Sequence, residues 1–257
     1  MHVFDRRVIK LRRDRAAKKI AQHDYIIHQI AQSTADRLHG HFDQVLNLGS
    51  HTGQFLEYFT RYNRIINSDS SQLMLKQIDG IKVSLDEEAL PFAEKSFDSI
   101  VSIMTLHRVN DLPGTLRQSF KILKTQGVFI GTLFGLDTLW ELKQSIIRAT
   151  ANSGFSPRVH PFIDIKSAGS LMQRAGFRMI VSDIDTITIQ YNNVLQLFDD
   201  LRYMGETNAL LKARKNFTSK KEMKSIIRQY ELDFLDQDNL IPATFEIITI
   251  TGMRHVD

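Results

Sequence analysis

Short apolar runs alternate with helical spacings from residue 44 to residue 134, and this alternation constrains the fold more than any other feature of the chain. Residues 44–48 make a short apolar run that closes on a Gly-containing turn, and 55–59 restart helical spacing. Residues 65–67 read as a second strand, 71–77 as a helix and 81–84 as a third strand. Residues 97–104 and 127–134 read as the fourth and fifth strands, with a helix over 112–123 between them. Strands that alternate with helices predict a parallel sheet joined by right-handed crossovers.

The flanks extend what is then a Rossmann-like α/β layout. Residues 8–38 read as one helix, with Ile20, Tyr25, Ile26, Ile30 and Ala31 at helical spacing and no Gly or Pro before Gly40. After the fifth strand come a helix over 138–149, a loop over 153–162, a helix over 165–175 and a strand that opens at Gly176 and Phe177. Residues 193–232 are mostly helical in pattern, and 243–251 alternate as a closing strand. At 257 residues one sheet covered on both faces is the economical arrangement. The expectation is one domain over 1–257: a helical arm at 1–40, a core at 41–135, and a C-terminal part at 136–257 with a helical insertion at about 193–232.

Apolar residues make up 42% of the chain and charged residues 24%, the balance of a folded protein. No run of about 18 apolar residues and no secretory leader is found, so a soluble, non-exported protein is expected. The absence of cysteine excludes disulfides, thiolate catalysis, iron–sulfur clusters and cysteine zinc sites. The net charge is only +4, but Arg6, Arg7, Lys10, Arg12, Arg13, Arg15, Lys18 and Lys19 crowd the N-terminus, and Lys212, Arg214, Lys215, Lys220, Lys221 and Lys224 form a second cluster. Such runs ordinarily coat solvated helix faces. Without interleaved aromatics they do not mark nucleic acid, and the sharper reading is a protein partner with an acidic surface.

The segment Val45-Leu46-Asn47-Leu48-Gly49-Ser50-His51-Thr52-Gly53 is a strand running into a turn that opens a helix. Glycine there lets backbone approach a ligand, and the helix start offers unpaired N–H groups. Asp69, twenty residues past Gly49, stands where a carboxylate accepts from both hydroxyls of a ribose. A dinucleotide fingerprint would need Gly at the positions of His51 and Gln54, so the NAD reading fails. Asp86 or Glu87, past the third strand, is placed to accept from an adenine amine, and Leu90-Pro91-Phe92 supply apolar surface.

With Asp69-Ser70-Ser71-Gln72-Leu73-Met74 and Ser96-Phe97-Asp98-Ser99-Ile100-Val101, these segments closely resemble the type 11 class I methyltransferases. Leu106-His107-Arg108-Val109-Asn110-Asp111-Leu112-Pro113 and Gly127-Val128-Phe129-Ile130-Gly131 narrow the resemblance to the respiratory complex I assembly factor 5 family, whose bacterial members are similar to malonyl-carrier-protein methyltransferases. Phe4-Asp5-Arg6, Arg13-Asp14-Arg15-Ala16-Ala17, Phe155-Ser156-Pro157-Arg158, Arg174-Ala175-Gly176-Phe177, Met204-Gly205-Glu206-Thr207-Asn208 and Pro242-Ala243-Thr244-Phe245-Glu246 extend it over nearly the whole chain. The resemblance implies a Rossmann-like class I methyltransferase fold with a mostly parallel seven-stranded sheet. It implies S-adenosylmethionine as cofactor, the methionine moiety on the first-strand turn, the ribose on Asp69 and the adenine on Asp86 or Glu87. The cofactor set is then Asn47, Gly49, Ser50, Gly53, Asp69, Ser70, Met74, Asp86, Glu87 and Leu106. It also implies a helper in building NADH:ubiquinone oxidoreductase, with arginine hydroxylation as the family's proposed chemistry. No spaced set of two histidines and a carboxylate supports that chemistry among the nine histidines.

Four positions depart from the family pattern. Asn47, Ser50 and His51 stand where Asp, Cys and a central Gly are usual, and a positive φ at His51 costs about 1 kcal/mol. Arg108 replaces a Trp at the expected pocket rim. His107, past the fourth strand, is the one candidate for acid–base work, with a structural histidine as the plain alternative. Arg158 is a candidate for binding a substrate carboxylate. Three readings follow: an S-adenosylmethionine-binding assembly factor acting on a complex I subunit, a small-molecule or carrier-protein O-methyltransferase, and a non-catalytic module with a degenerate cofactor site. A cytoplasmic place is expected, peripheral to the inner membrane face through complex I.

Overall fold

The computed structural model describes residues 2–151, 159–212 and 219–255. Arg158, Arg214 and Lys215 lie outside the described residues, as does most of the loop expected at 153–162.

Seven strands form one sheet in the order β3-β2-β1-β4-β5-β7-β6. They are β1 (Phe42–Leu48), β2 (Tyr62–Asp69), β3 (Ile81–Ser84), β4 (Phe97–Ser102), β5 (Leu123–Phe134), β6 (Arg178–Tyr191) and β7 (Ile241–Met253). The first five pair in parallel, and β7 runs antiparallel between β5 and β6. The expected mostly parallel seven-stranded sheet is the sheet observed. Apolar residues of the central strands alternate between two clusters: Val45, Val101 and Ile130 on one, Leu46, Ile100 and Phe129 on the other. Helices therefore have to cover both faces.

The helices are α1 (Arg6–Ala16), α2 (Tyr25–Arg37), α3 (Gln54–Tyr58), α4 (Gln72–Leu75), α5 (Leu112–Ile122), α6 (Trp140–Ala149), α7 (Ile165–Ala175), α8 (Val194–Tyr203) and α9 (Lys220–Phe234). Asp164 caps α7 through the Ser167 N–H, and Gly176 at φ +110° ends it in left-handed geometry. The strand expected at Gly176 thus begins at Arg178, after the cap. In the expected insertion, α8 and α9 are helical, but residues 204–212 are an irregular link of turns that brings Glu206 to His107 and Arg108.

The N-terminal expectation needs correction. Residues 8–38 are two helices separated by a 3-10 turn at Ile20–Gln22, and α1 is not a free arm. Ile20 is buried in the core, and the Asp24 carboxylate accepts from Gln54 Nε2 at 2.7 Å. These tertiary contacts turn the chain where no Gly or Pro does. Helix α1, capped by Asp5, then lies against α4 and the segment after β3. Residues 3–5 are pinned beside it, since Asn110 Oδ1 accepts from the Val3 and Phe4 N–H groups and Phe4 pairs with Leu210.

Candidate functional site

The carboxyl end of β1 turns sharply at Gly49, whose φ is +73°. A Cβ there would overlap the Thr105 side chain, so only glycine fits. The N–H groups of Gly49 and Ser50 both donate to the Ser68 carbonyl at 2.8 Å, which joins the turn to the end of β2. Gly53, at φ +98°, opens α3. Asn47 donates from Nδ2 to Asn67 Oδ1 at 3.0 Å, while Asn47 Oδ1, Ser50 Oγ and Ser70 Oγ are buried without a protein partner. Each such atom costs about 1–3 kcal/mol unless something polar meets it.

Asp69, at the end of β2, is fully buried and accepts four hydrogen bonds. Arg13 of α1 donates from Nε to Oδ1 at 3.1 Å and from Nη2 to Oδ2. The Ser71 and His51 N–H groups donate at 2.8 Å and 3.1 Å. Burial opposes the charge on both partners, yet the guanidinium holds the Asp69 carboxyl below its ordinary range and the carboxylate holds Arg13 above its own. Arg6, two turns earlier in α1, donates from Nε and Nη2 to the Asp86 carboxylate at 3.1 and 2.6 Å, from Nη2 to Glu87, and from Nη1 to the Arg108 carbonyl at 3.1 Å. The N-terminal basic run is therefore not simply a solvated face. Arg6 and Arg13 are tied to the acids that the sequence marks for adenine and ribose.

His51 stands at φ +51° and is buried. Its ring spans from the β1 turn to the carbonyl of Ile103 past β4, with Nε2 donating at 2.8 Å and Nδ1 facing Arg13 Nη1 at 3.5 Å. Burial first, then the Arg13 cation, push its pKa down to about 3, so the imidazole is neutral.

A second buried group adjoins the first. His107 Nε2 lies 3.0 Å from Glu206 Oε2, and Arg108 Nη1 lies 3.1 Å from Glu206 Oε1 and 3.1 Å from the Gly205 carbonyl. Arg108 is thus a buried partner of Glu206 and not a residue of an open rim, which corrects the expectation. A carboxylate accepts, so His107 carries its proton on Nε2 and presents a bare lone pair at Nδ1, which has no protein partner. Burial lowers the His107 pKa despite Glu206, and Arg108 holds the Glu206 carboxyl well below its usual range against its burial. Glu206 also lines a cavity of about 360 Å³ between the end of β5 and helices α6, α8 and α9, walled by Phe134, Leu142, Phe162, Leu201 and Ile226 with Arg12 and Arg202 among its polar groups.

The fold thus brings together Asn47, Gly49, Ser50, Gly53, Asp69 and Ser70 along the β1 and β2 ends, and links Asp86 and Glu87 to them through α1. Met74 and Leu106 are buried in different apolar clusters, and the Met74 N–H donates to Ser71 Oγ at 3.2 Å beside Asp69. Sequence reasoning missed the roles of Arg13 and Glu206. Both lie in motifs quoted for the resemblance, but nothing in the motifs says that they face the acids and His107.

In residue type the set fits S-adenosylmethionine, with a glycine turn, orphaned polar atoms and a ribose-type acid. In space, Arg13 already takes both oxygens of Asp69, the acid that the sequence marks for a ribose, and the His51 ring lies beside it.

A family profile described as a methyltransferase domain matches residues 4–182. The chain is 34% identical to the mitochondrial arginine-hydroxylase NDUFAF5 of Homo sapiens, over 99% of this chain and 78% of that protein. The chain belongs to the methyltransferase-domain family that includes these arginine-hydroxylases. This methyltransferase-domain protein is also 30% identical to malonyl-[acyl-carrier protein] O-methyltransferase 1 of Coxiella burnetii, over 79% of this chain and 71% of that one. Its fold is similar to that of Haemonchus contortus phosphoethanolamine N-methyltransferase 2 in complex with S-adenosyl-L-methionine, with TM-score 0.56, 14% identity, 93% of this chain and 57% of that chain covered. No helix among the described residues of the methyltransferase-domain protein is long and apolar enough to cross a membrane.

Proposed function

We propose that this single-domain, methyltransferase-like protein binds S-adenosylmethionine and acts on a protein subunit during assembly of respiratory complex I, in the cytoplasm at the inner membrane face. The observation that carries the reading is Asp69, a buried acid at the end of β2 hydrogen-bonded to the β1 glycine turn. That is where an α/β sheet of this kind receives a ligand ribose. Similarity to the arginine-hydroxylases over 99% of the chain supports a protein acceptor.

In this reading Asp69 holds the ribose hydroxyls, Asp86 or Glu87 the adenine amine, and Asn47, Ser50 and Ser70 the methionine moiety. S-adenosylmethionine supplies a methyl group activated on a sulfonium. His107 accepts a proton at Nδ1, with Glu206 fixing the tautomer from behind. The cavity beside Glu206 receives the acceptor. Its apolar walls and the arginines Arg12 and Arg202 also suit an acyl chain ending in a carboxylate, which favours carrier-protein O-methylation as the second reading.

Calorimetric titration of the wild type and of His51→Gly with S-adenosylmethionine and S-adenosylhomocysteine tests the cofactor. Dissociation constants at about micromolar or tighter, tighter in His51→Gly, support it. No heat from either protein overturns it.

A further inference from the structure

We propose that helix α1 is a displaceable plug, its arginines occupying the carboxylates of the cofactor site so that an S-adenosyl ligand enters by exchanging with Arg13 at Asp69 and with Arg6 at Asp86 and Glu87. The inference rests on the cofactor reading above and adds its regulation.

Asp69 has no acceptor capacity to spare. Its two oxygens already take Arg13 Nε and Nη2 and the N–H groups of His51 and Ser71, and it is 0% exposed. A ribose can gain these oxygens only if the guanidinium leaves them. On Asp69 the ribose hydroxyls take the places of the Arg13 N–H donors, and the released guanidinium carries its charge into water.

The attachment of α1 is of a kind that can be exchanged. Among its eleven residues only Ile9, Arg13 and Ala16 are buried, so ion pairs and polar contacts hold the helix more than apolar burial does. Asp14 accepts from Ser71 Oγ at 2.5 Å, next to Asp69 itself. Phe4 and Ile9 pack in a small apolar cluster with Ala209 and Leu210, separate from the two main cores. At the other end Ala16, Ala17 and Ile20 belong to the main core and anchor the chain, so residues 2–15 are the part that swings. Segments with few buried apolar contacts open at the low end of the stability range. His51 serves the closed arrangement by turning its Nδ1 acceptor toward Arg13.

The test combines hydrogen–deuterium exchange of the full chain, with and without S-adenosylhomocysteine, and titration of wild type, Arg13→Met and Arg6→Met with the same ligand. The plug predicts that ligand speeds exchange of the 6–16 amides and that Arg13→Met tightens binding by about tenfold or more. Arg6→Met, at a more exposed position, is expected to tighten it by about threefold and carries the test if Arg13→Met fails to fold. Binding to wild type with the 6–16 amides equally or better protected, and no gain in either variant, overturns the plug and leaves the cofactor site standing. Absence of binding to wild type and to both variants overturns the site and the plug together.

Discussion

Arg13 and Asp69 form a two-point ion pair in which neither side chain reaches solvent, at 1% and 0% exposure. Buried pairs of this kind hold their geometry because separating them strands a charge. Asp69→Asn is therefore expected to lower the unfolding free energy by about 3–5 kcal/mol, and adding Arg13→Met to recover most of it. Urea denaturation of the single and double variants measures this. A loss under about 1 kcal/mol for Asp69→Asn would mean that the pair behaves as a solvated one.

His51 and His160 set an acid limit on stability. Burial, the largest influence on each, puts both pKa values at about 3. The unfolded value is near 6.5, so below it the unfolded chain binds protons that the folded chain refuses. Their contribution is complete above pH 6.5 and is lost as pH falls toward 3. Near pH 5 the unfolding free energy should fall by about 2.7 kcal/mol per pH unit from these two groups, and His51→Gln or His160→Gln should each remove about half of that slope. Denaturation midpoints between pH 4.5 and about 7 give the slope, and a flat profile contradicts the assignment.

Gly49→Ala tests the turn. The new Cβ meets the Thr105 side chain at a φ of +73°. A stability loss of at least about 1–2 kcal/mol is expected, with strain and overlap acting together. Thermal unfolding compared with Gly40→Ala, where φ is also positive but nothing lies within 4 Å, separates the two causes.

Glu206→Gln tests the pair behind the cavity. The variant leaves Arg108 buried with only carbonyl acceptors, so stability should fall by about 3 kcal/mol. Nitrogen-15 shifts should show His107 protonated on Nε2 in the wild type and a mixed tautomer in the variant. A His107 already mixed in the wild type would remove Glu206 from its positioning role.

Most of the sheet could be read in advance because a strand buried on both faces is a short apolar run between turn residues, as at 44–48 and 97–104. The span of α7 followed from helical spacing and from the Gly176 cap. The break inside 8–38 did not, because Ile20 and Asp24 make it through partners distant in sequence. The charge count at the N-terminus was plain, but composition cannot distinguish Arg7, which is exposed, from Arg13, which is buried six residues later. Glu206 was hidden for the same reason, since its partners His107 and Arg108 lie about a hundred residues upstream.

The most direct measurement follows the Arg13 side-chain Nε–H signal by NMR while S-adenosylhomocysteine is added to the wild-type protein. Competition for Asp69 predicts a slowly exchanging, ion-paired signal that disappears or moves to the position of a free guanidinium in step with ligand binding. A signal unchanged at saturation would show that ligand and Arg13 do not share Asp69, and would contradict the account.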